Sequence, residues 1–311
     1  MLDRRIKYRH IQAFVEITRQ GRLKRAAEAL FLTQPAMSKT LKELEEILGV
    51  ALLIRSRAGI ELTPQGKIFL HFAEMSLAAL RQGVDGIAQL ERKGRTMLSL
   101  GLLPSVAAWL MPEVVRELEL AMPDLGLRIL DGQIGHLTRR LRAGDLDLVI
   151  GRMGPPDAMA GLSFMQLYNE HVVFVVRPGH PILENPRLGD VAKWPVLYPP
   201  AGAAITPLVE RFLIAHGIGD IPRRIETVSG AFGRVYTNRS DAIWIISSGV
   251  VANEVAEGEL VALPFDTSTT KGPVGLMLRP DAEPAMGLEP FRKVVESVVA
   301  RMAPDDGAAT G

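Results

Sequence analysis

Residues 25–49 read RAAEALFLTQPAMSKTLKELEEILG and describe two short helices joined by a tight turn. Ala26, Ala27, Ala29 and Leu30 form a small-residue surface that lets one helix lie close to the next, and Phe31 and Leu32 are expected to plug the corner between them. Thr33 offers a helix N-cap, with Pro35 in the first turn, where a missing N–H removes no hydrogen bond. Met37, Leu41, Leu44 and Leu48 recur at helical spacing, which puts all four on one buried stripe. The polar face carries Gln34, Ser38, Lys39 and Lys42 at its N-terminal end, with Pro35 and Ala36 beside them. An amide, a hydroxyl and two ammonium groups are the inventory that reads base edges and holds phosphates. An ordinary helical hairpin with a solvated face has the same apolar spacing, so the flanks decide between the two readings.

Upstream, Ile11, Phe14, Val15 and Thr18 supply one face of the third helix that a compact unit requires. Downstream, ALLIRSRAGIELTPQG (51–66) reads as two short strands around a turn, with Arg55 and Arg57 at its tip, where a β-ribbon wing meets the sugar-phosphate backbone. Residues 1–95 carry 17 Lys and Arg against 10 Asp and Glu, a net +7, and the remainder carries 19 against 25, a net −6. The near-neutral whole therefore conceals a basic N-terminal third, the electrostatic footprint of nucleic-acid binding.

The continuous stretch RAAEALFLTQPAMSKTLKELEEILGVALLIRSRAGIELTPQG (25–66) resembles the winged helix-turn-helix of the LysR-type transcriptional regulators. Arg22 departs from that pattern, because the family usually places a small hydroxyl residue there to cap the second helix; the change weakens the cap by roughly 1 kcal/mol.

The 311 residues are long for a single DNA-binding unit, and 47% hydrophobic against 23% charged residues marks a globular chain. No apolar run approaches a membrane span, and MLDRRIKYRH lacks the apolar core of a signal peptide, so a cytoplasmic protein with no membrane partner is expected. The absence of cysteine excludes disulfides, thiolate zinc sites and cysteine nucleophiles. The six histidines include no i, i+4 or HExxH-type pair, so neither a metal site nor a cofactor is expected, and each imidazole reads as solvated or core-edge.

Thr63 and Pro64 restart a helix whose apolar positions run through Ile68, Phe69, Phe72, Leu80, Val84 and Ile87, with Ser76 on the same stripe, until ERKGR (91–95) ends it. A helix of roughly 30 residues spans about 45 Å. A second copy of the chain best covers such a seam, so residues 63–94 read as a dimerisation linker between a DNA-binding domain at 1–62 and the remainder at 95–311. A long core helix of the following domain is the alternative.

From residue 97 the rhythm is strand, helix, strand, helix: MLSLGLL (97–103), LGLRILD (125–131) and DLDLVIG (145–151) alternate with helices, a doubly wound parallel-sheet signature. A second such unit follows HVVFVVRPGHP (171–181), and PVGLMLR (273–279) with a helix over 288–302 returns to the first. Lobe I is then about 95–168 and 270–303, and lobe II about 169–269. The tail APDDGAATG (303–311) reads as disordered. The fold class is α/β: a winged helix-turn-helix, a linker helix and a two-lobed α/β effector domain of the periplasmic-binding-protein kind.

Clefts at the carboxyl ends of parallel strands bind ligands. Ser105 and Val106 begin a helix after the first strand, and Ala203, Ala204, Ile205 and Thr206 begin its counterpart in lobe II; both offer N–H groups to a carboxylate. Gln133 and Ile134 line lobe I, Ser229 and Phe232 add a hydroxyl and an aromatic wall, and Arg152 pairs with either a ligand acid or a structural one. The C-terminal half also resembles the effector domain of the LysR type. GDLDLVIGR, HVVFVVRPGHP, RRIETVSGAFGRVY, SDAIWIISSGVVA and LVALPFDTSTTKGPVGL resemble its PcaQ-type branch of protocatechuate-operon activators and their galactose-regulator relatives. That resemblance implies an activator, with promoter DNA, RNA polymerase and an aromatic or carboxylated inducer (protocatechuate or a carboxymuconate) as partners, assembled as a homodimer or a dimer of dimers, a homotetramer. The competing class is a two-lobed solute-binding protein without a regulatory role. An enzyme is disfavoured: no G-x-S-x-G, P-loop or G-x-G-x-x-G sits at a strand-to-helix turn, so no catalytic residue is assigned.

Overall fold

The computed structural model describes residues 5–56, 59–91, 96–280 and 284–302. The chain divides into two compact units, one built from Met1–Arg92 with Arg142–Asp145 and the other from Lys93–Leu141 and Leu146–Gly311.

In the N-terminal unit, α1 (Tyr8–Gln20), α2 (Leu23–Ala29) and α3 (Gln34–Leu48) are followed by strands β1 (Leu53–Ser56) and β2 (Gly59–Leu62) and by α4 (Pro64–Glu91). The helix start of α3 is as the residue types suggest: the Thr33 hydroxyl accepts from the Ala36 N–H, and Gly49 ends the helix in the left-handed conformation. Met37, Leu41 and Leu44 are buried against Ala13, Phe14, Ile17, Ala26 and Ala27, while Leu48 is half-buried at the edge of the cluster. The buried face of α1 is Ala13, Phe14 and Ile17; Ile11 and Val15 are half-buried, and Thr18 turns its hydroxyl back to the Phe14 carbonyl. His10 is also buried rather than solvated, its Nδ1 accepting from the Lys7 N–H and its Nε2 lying 3.3 Å from Glu43. The His10 ring and the Arg9 guanidinium hold the Glu43 carboxyl below its ordinary pKa.

Phe31 and Leu32 do not plug the corner: both are exposed, as is Ala29, and Leu30 with Ala26 and Ala27 fills the space instead. Arg22 occupies the N-cap of α2 with extended backbone and makes no side-chain cap bond. Arg22→Ser supplies that bond and is expected to raise stability by about 0.5–1 kcal/mol, read as an upward shift of the urea midpoint of the N-terminal unit.

The wing is an antiparallel hairpin pairing Leu53 with Leu62 and Ser56 with Gly59. It is tied to α3 by Glu45, whose Oε1 accepts from the N–H groups of Leu52 and Leu53 at 2.7 and 3.2 Å.

In the C-terminal unit, lobe I holds a sheet in the order β4-β3-β5-β12-β6, made of β3 (Thr96–Leu102), β4 (Leu125–Asp131), β5 (Leu148–Arg152), β6 (Ser163–Glu170) and β12 (Gly272–Leu278). Helices α5 (Met111–Ala121) and α11 (Leu288–Met302) cover one face through Val114, Phe291 and Val295. Helix α6 (Ile134–Arg142) covers the other through Leu137 and Leu141, with the short α7 (Pro156–Met159) beside it. Lobe II holds β11-β7-β10-β8-β9, made of β7 (Val172–Val176), β8 (Val196–Tyr198), β9 (Arg224–Glu226), β10 (Ile243–Ser247) and β11 (Val261–Ala262). Helix α8 (Thr206–Ala215) packs through Val209 and Phe212, α9 (Gly230–Asn238) lies nearest Trp244, and α10 (Ala252–Ala256) follows.

The sheets are mixed, not parallel throughout. β3 runs parallel to β4 and β5, and β8 parallel to β9 and β10, but β12 is antiparallel to β5 and β6, and β7 antiparallel to β10 and β11. The antiparallel strands are those next to the crossings, where the chain leaves one lobe for the other at His171 and returns before Gly272; a strand that comes back without a covering helix need not run parallel. Strand β6 is absent from the sequence reading because SFMQLYNE has no clean alternation.

Candidate functional site

The N-terminal end of α3 leaves Gln34, Pro35, Ala36, Lys39 and Lys42 exposed and Ser38 partly so, all off the buried stripe. Lys42 sits 3.5 Å from Glu46 one turn on, an exposed pair that competes weakly with a phosphate. The backbone of Arg55 lies in β1, at the hairpin end of the wing; Arg57 lies outside the described residues, as do residues 92–95 and the tail 303–311.

Three helix beginnings converge between the two lobes. Pro104 and Ser105 open the helical stretch after β3, which passes through a π-helical segment at Val106–Leu110 before continuing as α5; Gln133 and Ile134 open α6, and Ala203–Ile205 precede α8. The first N–H groups of a helix have no carbonyl partner within it, so each opening directs donors outward. Together they bound a cavity of about 380 Å³ whose lining includes Ser105, Gln133, Ile134, Arg152, Ala203, Ala204 and Ile205. That volume suits a small organic acid.

Four residues expected at this cavity do not line it. Val106 is fully buried in the lobe I core. Thr206 is turned away, its hydroxyl donating to the Pro200 carbonyl at 2.7 Å. Ser229 is spent as the N-cap of α9, accepting from the Phe232 N–H, and Phe232 stacks on Tyr236 one turn along the helix surface. Thr227 and Val228, just before that helix, line the cavity in their place, and Asp131, His136 and Ser247 do so without having been singled out from sequence. Asp131 and His136 flank the Gln133–Ile134 opening, so reading two residues either side of that turn finds both.

Behind the cavity lies a buried polar centre that the sequence conceals. Glu170, the last residue of β6, is 3% exposed and accepts from the Ser105 hydroxyl at 3.1 Å and from the Gly249 N–H at 3.0 Å, with Ser247 as a further donor. Arg152, 4% exposed, lies 3.7 Å from the same carboxylate. Its two terminal nitrogens donate to the carbonyls of Glu170 (2.8 Å) and Thr270 (3.2 Å), one on each chain segment that crosses between the lobes. Those crossings are tied to each other as well, since the Thr270 hydroxyl accepts from the Val172 N–H at 2.9 Å. Arg152 thus clasps the hinge, while its Nε, buried and without a hydrogen-bond partner, belongs to a residue of the cavity wall. Burial pushes the Glu170 carboxyl above its ordinary pKa and the Arg152 guanidinium below its own, and their mutual attraction opposes both shifts. Gly249 is required beside this centre: a Cβ there would stand 2.7 Å from Glu170 Oε1.

Comparison with known proteins gives these two sites a context. Residues 8–67 match the model of the bacterial regulatory helix-turn-helix protein, lysR family, and residues 91–300 match the LysR substrate binding domain. The chain is 45% identical to the HTH-type transcriptional regulator PcaQ of Agrobacterium fabrum, over the whole of both proteins. It is 34% identical to the uncharacterized HTH-type transcriptional regulator YdcI of Escherichia coli, covering 93% of this chain and 94% of that one. Its fold is similar to that of full-length CbnR complexed with its target DNA, with a TM-score of 0.54 and 21% identity over 96% of this chain and all of that one. With a helix-turn-helix whose polar face is exposed, a two-lobed substrate-binding fold and family matches that cover both, the chain belongs to the LysR family of DNA-binding transcriptional regulators.

Proposed function

We propose that this protein is an activator that grips a dyad-symmetric promoter site and responds to a small aromatic or carboxylated catabolite, of the protocatechuate or carboxymuconate type, held in the interlobe cavity. The cavity wall carries the ligand half of this reading: a buried arginine with an unpartnered Nε stands beside three helix openings, a setting for a carboxylate. Likeness to PcaQ over the full chain supports the chemical class. In this reading Gln34, Pro35, Ala36, Ser38, Lys39 and Lys42 face the major groove, and Arg55 and Arg57 meet the backbone. Residues 1–62 serve as the reading head, 63–94 as the linker and 95–311 as the sensor. Ile68, Phe72, Leu80, Val84 and Ile87 are all exposed along α4, and this stripe supports pairing with a second copy, as a dimer or a dimer of dimers. Inducer binding shifts the balance between two lobe arrangements and so the spacing of the reading heads, inside the cytoplasm and with RNA polymerase as a further partner.

A gel shift on the DNA upstream of its own coding sequence, repeated with hydroxybenzoates and muconates, tests both halves. Binding that changes mobility or affinity with one of these acids is expected; indifference to every acid removes the inducer class. Lys39→Ala is expected to weaken binding to all sequences alike and to lower the slope of log affinity against log salt by about one. An unchanged slope takes Lys39 off the phosphate.

A further inference from the structure

The turn between α2 and α3 is a Schellman closure: the Phe31 N–H donates to the Glu28 carbonyl and the Leu32 N–H to the Ala27 carbonyl, at 3.2 and 2.8 Å. Such a closure puts its central residue in the left-handed region, a place for glycine or asparagine. Here it holds Phe31 at φ 56°, the single non-glycine residue with positive φ among those described. The ring is also 96% exposed. A strained backbone and a bare aromatic ring both work against the isolated chain, and glycine or asparagine in place of Phe31 relieves both. Strain of this kind points to function where a site explains it.

The site is adjacent. Phe31 stands two residues before the Thr33 cap and three before Gln34, at the end of α3 that enters the major groove in helix-turn-helix docking. The apolar group that a major groove offers is the thymine C5-methyl. We infer that Phe31 is a base-reading contact that packs its ring on a thymine methyl at the edge of the operator half-site. This inference rests on the DNA-reading role of α3.

The test compares full-length wild type, Phe31→Asn, Phe31→Leu and Lys39→Ala on the upstream duplex, prepared once with thymidine and once with deoxyuridine, which lacks the methyl. Phe31→Asn is expected to melt no lower than wild type. It should also bind thymidine DNA about tenfold more weakly, as loss of part of a buried ring implies. Its salt slope stays that of wild type, because no phosphate contact is lost. Wild type loses a similar factor on deoxyuridine DNA, Phe31→Asn loses nothing further, and Phe31→Leu recovers part of the affinity. Unchanged affinity in Phe31→Asn overturns the inference, as does a wild type indifferent to deoxyuridine. A loss that tracks a smaller sedimentation coefficient overturns it too, assigning the ring to a second copy. If folded wild type binds no duplex at low salt, the role of α3 falls first and takes this contact with it.

Discussion

Glu170→Ala is expected to destabilise the C-terminal unit by about 3–5 kcal/mol, the range for breaking a buried ion pair from one side. The loss is large because the carboxylate serves both lobes. Without it the Arg152 guanidinium stays buried with no counter-charge, and the Ser105 hydroxyl and Gly249 N–H lose their acceptor. Arg152 is left holding the crossing segments through the Glu170 and Thr270 carbonyls alone. Urea melts report the loss as a lower midpoint for that unit, with the N-terminal unit unaffected; a change under 1 kcal/mol shows that the hinge does not depend on the pair. Glu170→Gln keeps an acceptor for Gly249 and loses less. It also gives a second readout. Burial raises the folded-state pKa of Glu170 above its unfolded value, so the stability that the protonated group contributes is complete below the ordinary carboxylate pKa and is lost as pH rises through the raised one. Wild type therefore weakens with rising pH across that window, and Glu170→Gln removes that component of the slope.

Gly66→Ala carries the other large effect, in the N-terminal unit. Thr63 starts α4 with two hydrogen bonds: its hydroxyl accepts from the Gly66 N–H at 2.9 Å and donates to the Ala51 carbonyl at 2.8 Å. That geometry draws Gly66 onto the wing so closely that a Cβ would stand 2.0 Å from the Leu52 carbonyl oxygen. The obstacle is backbone, and the same carbonyl accepts from the Thr63 N–H, so it cannot retreat without breaking the joint between wing and helix. Overpacking usually destabilises by about 1–3 kcal/mol, and an immovable partner puts this site at or above the upper end. DNA affinity falls with it, because the wing loses its register against α3, while the C-terminal unit melts as in wild type. A variant with wild-type DNA affinity and melting shows that the joint yields.

Both residues illustrate where the sequence stops speaking. The start of α3 is legible in Thr33 and Pro35 because capping acts over three or four residues, and its buried stripe follows from helical spacing alone. The largely buried strands β5, β7 and β10 are legible as apolar runs. Phe31 misleads by the same local logic, since an aromatic residue at a corner is ordinarily core, and a single left-handed φ angle turns it outward. Ser229 misleads similarly: a hydroxyl after a strand suits a cleft, but it serves first as the cap of its own helix. Glu170 gives no local sign, ending a strand whose pattern is itself irregular.

The amino-acid order by itself determined the helix-turn-helix, the wing, the basic N-terminal third and the two α/β lobes, because each depends on short-range periodicity, caps or charge counts. Only the tertiary structure decided which strands run antiparallel, which hydroxyls face the cavity, and that Arg152 and Glu170 bind the crossings between lobes. Those contacts join residues 18 to 118 positions apart, and burial, not spacing, sets their strength.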